Sequence, residues 1–139
     1  MIRIAVCDDE NVIVNQIEHI ISEVCKRESI PVNIDVFYSG RELKRQVTSG
    51  TKYDIIFLDI QMKGGDGIIA AENIRKVDDN VLLIYVSGYD KYMMELFRLD
   101  VFGFIKKPID EEILTKTFLE TYQSCLLYTS DAADDLIGV

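Results

Sequence analysis

Short apolar runs alternate with stretches of helical spacing along almost the whole chain. Ile2–Cys7, Val32–Phe37, Tyr53–Leu58, Val81–Val86 and Val101–Lys106 are the runs. Ile2–Cys7 is nearly continuous in apolar residues, the pattern of a strand buried on both faces rather than one side wetted. Between the runs, Asn11 to about Glu28 carries Val14, Ile17, Ile21 and Val24 at helical spacing. Strands alternating with helices imply a parallel sheet with right-handed crossovers and helices on both faces.

Punctuation along the chain supports the same reading. Pro31 breaks before the second strand, Ser39-Gly40 opens a short helix to about Ser49, and Gly50 closes it. Gly64, Gly65 and Gly67 make the connection after the third strand a loop, and Asp66 is placed to cap a helix to about Val77. Asp78-Asp79-Asn80 is a turn, and Asp90 to about Leu99 is a shorter helix. Asp110 is a good N-cap, with Glu111 and Glu112 favourable in the first turn of the last helix. Ile113, Leu114, Phe118 and Tyr122 are expected to form its core-facing stripe.

With 139 residues, one domain with a proper core is expected, and no boundary falls inside residues 1–123. The net charge of −9 argues against direct nucleic-acid binding by this chain and against an anionic membrane surface as partner. No apolar stretch approaches the ~20 residues of a membrane span. Met1-Ile2-Arg3 enters a strand without a leader pattern, so a cytoplasmic location is expected. Cys7, Cys25 and Cys125 show no metal-binding or disulfide spacing and read as thiols in a reducing compartment. His19, the single histidine, leaves no His-based triad or multi-histidine metal site and reads as structural. Residues 124–139 show no convincing period and read as a C-terminal tail: a continued helix, a linker remnant or a cloning scar.

Each of four runs ends in a different polar group: Asp8-Asp9, Asp59, Ser87 and Lys107-Pro108. In open parallel sheets ligands sit beyond the carboxyl ends of the strands, so these groups are expected to share one crevice. Two carboxylates ~4 Å apart repel by roughly 4 kcal/mol at an effective dielectric near 20, so three will bind a proton or hold a cation. Mg²⁺ suits such a set, because it takes oxygen ligands and keeps several waters. The backbone carbonyl of Gln61 can add a further oxygen. Lys107 offers a compact cation for phosphoryl oxygens, and Pro108 after it fits a cis peptide. Ser87 offers a hydroxyl donor beside the small Gly88. Taken singly, an Asp-Asp pair is more often a turn or cap, and a Lys-Pro more often a turn. The specificity lies in the set.

The set resembles the receiver domain of two-component response regulators over residues 2 to about 123. Val6-Cys7-Asp8-Asp9-Glu10, Phe57-Leu58-Asp59-Ile60-Gln61-Met62, Asp66-Gly67, Val86-Ser87-Gly88 and Phe104-Ile105-Lys106-Lys107-Pro108 match it in order and spacing. The resemblance implies a single doubly wound (βα)5 flavodoxin-like domain with a parallel five-stranded sheet in the order 2-1-3-4-5. It implies that Asp59 is the phosphoacceptor and that Asp8, Asp9, Asp59 and the Gln61 carbonyl hold Mg²⁺. Ser87 and Lys107 would bind phosphoryl oxygens, with Ser87 and Phe104 as switch residues. The implied partner is a sensor histidine kinase, and the implied role is a phosphorylation-dependent switch rather than an enzyme. The stretch Ser87-Gly88-Tyr89-Asp90-Lys91-Tyr92 through Phe97, with Asp100-Val101-Phe102-Gly103-Phe104, looks most like the LytTR (LytR/AgrA-like) subgroup. Those regulators pair the receiver with a DNA-binding domain; no such domain is read in these 139 residues, so DNA binding is not expected of them. Lys63 departs from the proline that the family often has there.

The resemblance also carries expectations about switching. Phosphate on Asp59 would draw in Ser87 and free space for Phe104 to turn inward. The responding surface would be the helix of residues 90–99, the fifth strand and the last helix, with Tyr92, Met93, Met94 and Phe97 as candidates. Homodimerisation would use that face, and the bulk of Tyr89 would affect hydrolysis of the acyl phosphate. Rival readings are weaker. A haloacid-dehalogenase-like phosphatase needs a second acid where Gln61 stands, and a pseudo-receiver would not need the full polar set. A flavin module would want a phosphate-cradling loop where Asp8-Asp9-Glu10 would repel phosphate.

Overall fold

A computed structural model describes residues 1–62, 66–88 and 101–137. The described elements are β1 (Ile2–Cys7), α1 (Asn11–Arg27), β2 (Val32–Phe37), α2 (Gly40–Thr48), β3 (Ile55–Asp59), α3 (Asp66–Val77), β4 (Leu82–Ser87), β5 (Gly103–Lys106) and α4 (Glu111–Ile137). All strand pairs are parallel, and the sheet order is β2-β1-β3-β4-β5. This is the doubly wound sheet expected from the alternation, with its strand order reversing at β1.

The period-two alternation of the strands divides the core in two. Ile4, Val6, Ile55, Phe57, Ile84, Val86 and Ile105 face α1 and α4, meeting Val14, Ile17, Ile21, Val24, Leu114 and Phe118. Ala5, Cys7, Ile56, Leu58, Leu83 and Tyr85 face α2 and α3, meeting Leu43, Val47, Ala71 and Ile74. Both faces of the central strands are therefore dry, which is why their sequences read as continuous apolar runs.

Local chemistry sets the ends of the helices. Lys26 and Arg27 sit in the last turn of α1, where cations favour the helix dipole. Ser29 then takes a positive φ of 56° and the chain turns toward Pro31. Ser39 caps α2, its Oγ accepting from the Glu42 amide at 3.2 Å. Gly50, at φ 113°, closes that segment as expected. Asp110 caps α4, its Oδ1 accepting from the amides of Glu112 at 2.9 Å and Ile113 at 3.1 Å.

The structure corrects or refines several expectations. The third and fourth strands run Ile55–Asp59 and Leu82–Ser87, so Asp59 and Ser87 are the last strand residues rather than the first after it. The fifth strand begins at Gly103, opposite Ile84, and Phe102 just before it donates its amide to the Leu83 carbonyl at 2.9 Å. Ile113 is 54% exposed, one residue off the Leu114–Phe118 stripe and so about 100° around the helix from it. The last helix continues to Ile137; no glycine or proline interrupts it, although Leu126 and Leu127 are exposed. His19 lies on an exposed face of α1. Among the described residues no helix is long and apolar enough to cross a membrane.

Candidate functional site

Four strands deliver one polar group each to the same edge of the sheet. Asp8 follows β1, Asp59 and Ser87 end β3 and β4, and Lys107 follows β5. Asp8, Asp59 and Ser87 are all buried, with exposures of 1%, 2% and 0%. Such burial is costly for carboxylates unless a partner compensates. The local turns hold each acid in the same way. Asp8 Oδ1 accepts from the Glu10 amide at 2.9 Å, and Asp59 Oδ1 accepts from the Gln61 amide at 2.9 Å. Each acid thus keeps its Oδ2 for the crevice.

Lys107 enters between them. Its Nζ lies 3.0 Å from Asp8 Oδ2, 3.5 Å from Asp59 Oδ2 and 4.0 Å from Glu10 Oε1. Its amide donates to the Ser87 carbonyl at 2.9 Å, which ties the end of β5 to the end of β4. The Lys107–Pro108 peptide is cis, as the sequence suggested. Burial works against the ammonium, but Asp8, Asp59 and Glu10 outweigh it and hold its pKa above the usual value. One cation does not balance the acids. Burial pushes the Asp59 carboxyl up to about 6; the Gln61 amide opposes this, Asp8 adds to it, Lys107 opposes it and Asp9 adds again.

The surplus of acid is what a divalent cation would relieve. The Asp8, Asp9 and Glu10 carboxylates can all bring an oxygen within 4.8 Å of one another. Buried Asp8 Oδ2, although ion-paired to Lys107, has no well-directed hydrogen bond. Hard carboxylate oxygens in excess of the one lysine fit Mg²⁺.

The structure therefore gathers Asp8, Asp59, Ser87 and Lys107, with exposed Asp9 and half-buried Gln61 at the rim. Phe104 stands apart from the carboxylates. It is half-buried and packs on the α2–α3 face, directly across from Tyr85 in the β4–β5 register. Two contributors do not stand out in the sequence. Glu10 is there only one member of a motif, yet it reaches Lys107. Gly67 reads as a loop glycine, yet a Cβ there would overlap the Asp59 carbonyl oxygen and the Ile60 backbone. Only glycine lets α3 start so close to the end of β3. The Asp66-Gly67 pair was the available signal. Lys63, Gly64, Gly65, Tyr89, the expected helix over 90–99 and its Tyr92, Met93, Met94 and Phe97 lie outside the described residues.

Comparison with known proteins agrees with this geometry. Residues 4–119 match the family model of the response regulator receiver domain. The sensory transduction protein LytT of Bacillus anthracis is 28% identical over 117 residues, which are 84% of this chain and 46% of that protein. The transcriptional regulatory protein YpdB of Escherichia coli K12 is 24% identical over 113 residues, 81% of this chain and 44% of that protein. The chain thus spans about half the length of these curated relatives. The response regulatory domain of mrkE from Klebsiella pneumoniae superposes with a TM-score of 0.80 at 20% identity, covering 91% of this chain and 99% of that one. The matched family, the strand order and the LytT-like relatives together place this chain among the receiver domains of two-component response regulators.

Proposed function

We propose that this receiver works by accepting a phosphoryl group on Asp59 from the phosphohistidine of a sensor histidine kinase. The observation that carries the reading is Lys107 Nζ within 3.5 Å of buried Asp59 and 3.0 Å of buried Asp8 at one sheet edge. An Asp59 carboxylate oxygen forms the new bond to phosphorus. The bond from phosphorus to the imidazole nitrogen breaks, and its electron pair returns to the ring. The Gln61 amide holds the other Asp59 oxygen through the step. Lys107 then pairs with the incoming phosphoryl oxygens, and the Ser87 hydroxyl donates to one of them. Asp8, Asp9, Asp59 and the Gln61 carbonyl would hold Mg²⁺, which when bound offsets the charge on those oxygens. The protein's contribution is positioning and charge compensation, so its role is signalling and not turnover of an external substrate.

The output runs through Ser87 and Phe104. Ser87 moving toward the phosphoryl group vacates space into which Phe104 turns, and this changes the surface formed by residues 90–99, β5 and α4. That surface would control an output domain or a second copy of the chain. Residues 1–123 are the switch, and 124–139 are a tail outside it. By analogy with the transcriptional regulatory protein YpdB, the output is control of transcription, carried by a further domain beyond these residues.

The test is incubation with Mg²⁺ and acetyl phosphate followed by intact mass. A lasting gain of one phosphoryl group, absent in Asp59→Asn and without Mg²⁺, is the expected result. Rapid multiple turnover of generic phosphomonoesters would overturn the reading in favour of a phosphatase.

A further inference from the structure

Glu10 is a charged residue at the edge of the site that neither the acceptor chemistry nor the switch uses. Its backbone is pinned on both sides. The amide donates to Asp8 Oδ1 at 2.9 Å, and the carbonyl accepts from the amides of Ile13 and Val14 at 3.1 Å as α1 begins. The side chain makes no capping hydrogen bond to that helix. Its carboxylate turns to the crevice instead. There Oε1 lies 4.0 Å from Lys107 Nζ, while the side chain stays 64% exposed.

The position fixes what this charge can act on. Asp8 and Asp59 are buried inside the crevice, whereas Asp9 and Glu10 are exposed at its mouth. The Asp8, Asp9 and Glu10 carboxylates can bring their oxygens within 4.8 Å of one another, so the mouth is acidic. Lys107 is the group assigned to the incoming phosphoryl oxygens, and an ammonium holds such an oxygen at ~3 Å. Glu10 Oε1, 4.0 Å beyond that ammonium, is then within about 7 Å of the oxygen. At such a range an exposed unit charge in salt water alters a rate by about twofold per charge on the approaching group. A phosphoryl group that pairs with Lys107 therefore does so against the field of Glu10.

We propose that Glu10 sets the discrimination of this site among phosphodonors: its exposed carboxylate disfavours small diffusing phosphoanions in proportion to their charge. Glu10 touches no reacting atom and acts as a specificity residue through its charge alone. The inference rests on the phosphoacceptor reading, and its test keeps the two apart.

The test follows the rate of phosphoryl gain by intact mass at neutral pH and saturating Mg²⁺. Its two donors are acetyl phosphate, a dianion, and phosphoramidate, a net monoanion. Glu10→Gln should speed uptake from acetyl phosphate about fourfold and from phosphoramidate about twofold, one factor of two per charge. Glu10→Asp, which keeps the charge, should restore the wild-type ratio between the donors. Added salt should shrink the gain of Glu10→Gln with both. Partial unfolding of a variant lowers both rates alike, so the ratio between donors still reports on charge. Equal factors for the two donors, or no gain with either, overturns the proposal while leaving the phosphoacceptor reading intact. Absence of the adduct in wild type with both donors overturns both.

Discussion

The two ends of the sheet use the same residue types to opposite effect. Toward the amino end, the arginines Arg3 and Arg75 are partly exposed and partnered. Arg3 gives its amide to Asp54 Oδ2 at 2.8 Å, pairs with Asp35 at 3.9 Å and lies over the Tyr53 ring at 5.5 Å. Arg75 clamps the turn before β4, donating to the carbonyls of Asp79 at 3.1 Å and Val81 at 2.6 Å. At the carboxyl end, Asp8 and Asp59 are buried around a single lysine, and acid remains in excess. Balanced, solvated charge secures connections. Unbalanced, buried charge creates a demand for a cation and a phosphoryl group.

Removing the lysine of the unbalanced end should produce the largest effect. Lys107→Met leaves two buried carboxylates facing each other, and breaking a buried pair costs about 3–5 kcal/mol. Urea unfolding at neutral pH without Mg²⁺ measures this, and a loss below that of an Arg3 variant would break the comparison. Mg²⁺ should restore most of the lost stability, because it takes over the missing charge.

Asp59→Asn should act in the opposite direction. Its pKa of about 6 in the fold lies above the ordinary 3.8. Between roughly pH 4 and pH 6 the folded protein therefore keeps a proton that the unfolded chain has released. Stability in Mg²⁺-free buffer should fall as pH rises through that window. Asp59→Asn should remove this component and gain on the order of 2 kcal/mol at neutral pH. Urea midpoints of both proteins across the window give the answer; parallel pH profiles would remove the strain assigned to this end. Saturating Mg²⁺ should flatten the wild-type slope.

Smaller effects belong to the balanced end. Arg75→Ala strips the donor from the carbonyls before β4 and should cost about 1–3 kcal/mol in the same assay. Arg3→Ala removes a half-exposed ion pair and should cost at most about 1 kcal/mol, less at high salt. Neither should change phosphoryl uptake on Asp59. If either abolished it, the division of labour between the two ends would be wrong.

Much of this was legible along the chain because its cause is local. The bounds of β1 and β2, the caps at Ser39 and Asp110, and the turn at Gly50 follow from side-chain pattern and backbone preference. The site was legible because strand ends in a parallel sheet must share an edge, so groups 51 residues apart, Asp8 and Asp59, could be placed together. The errors have a different source. Ile113 is a good stripe residue by composition, but the direction in which α4 docks excludes it. Asp59 and Ser87 fall inside their strands because pairing with neighbours sets where a ladder ends.

By itself the sequence determined the alternation of strands and helices, the identity of the polar group at each strand end and the surplus of negative charge. Each of these depends only on neighbouring residues and their chemistry. The tertiary structure alone decided that Lys107 bridges Asp8 and Asp59, that Gly67 must have no side chain, and that the buried Tyr85 hydroxyl has no hydrogen-bond partner among the described residues. Those facts are distances between strands that are remote in the chain, and they are set by register and packing, which no local pattern encodes.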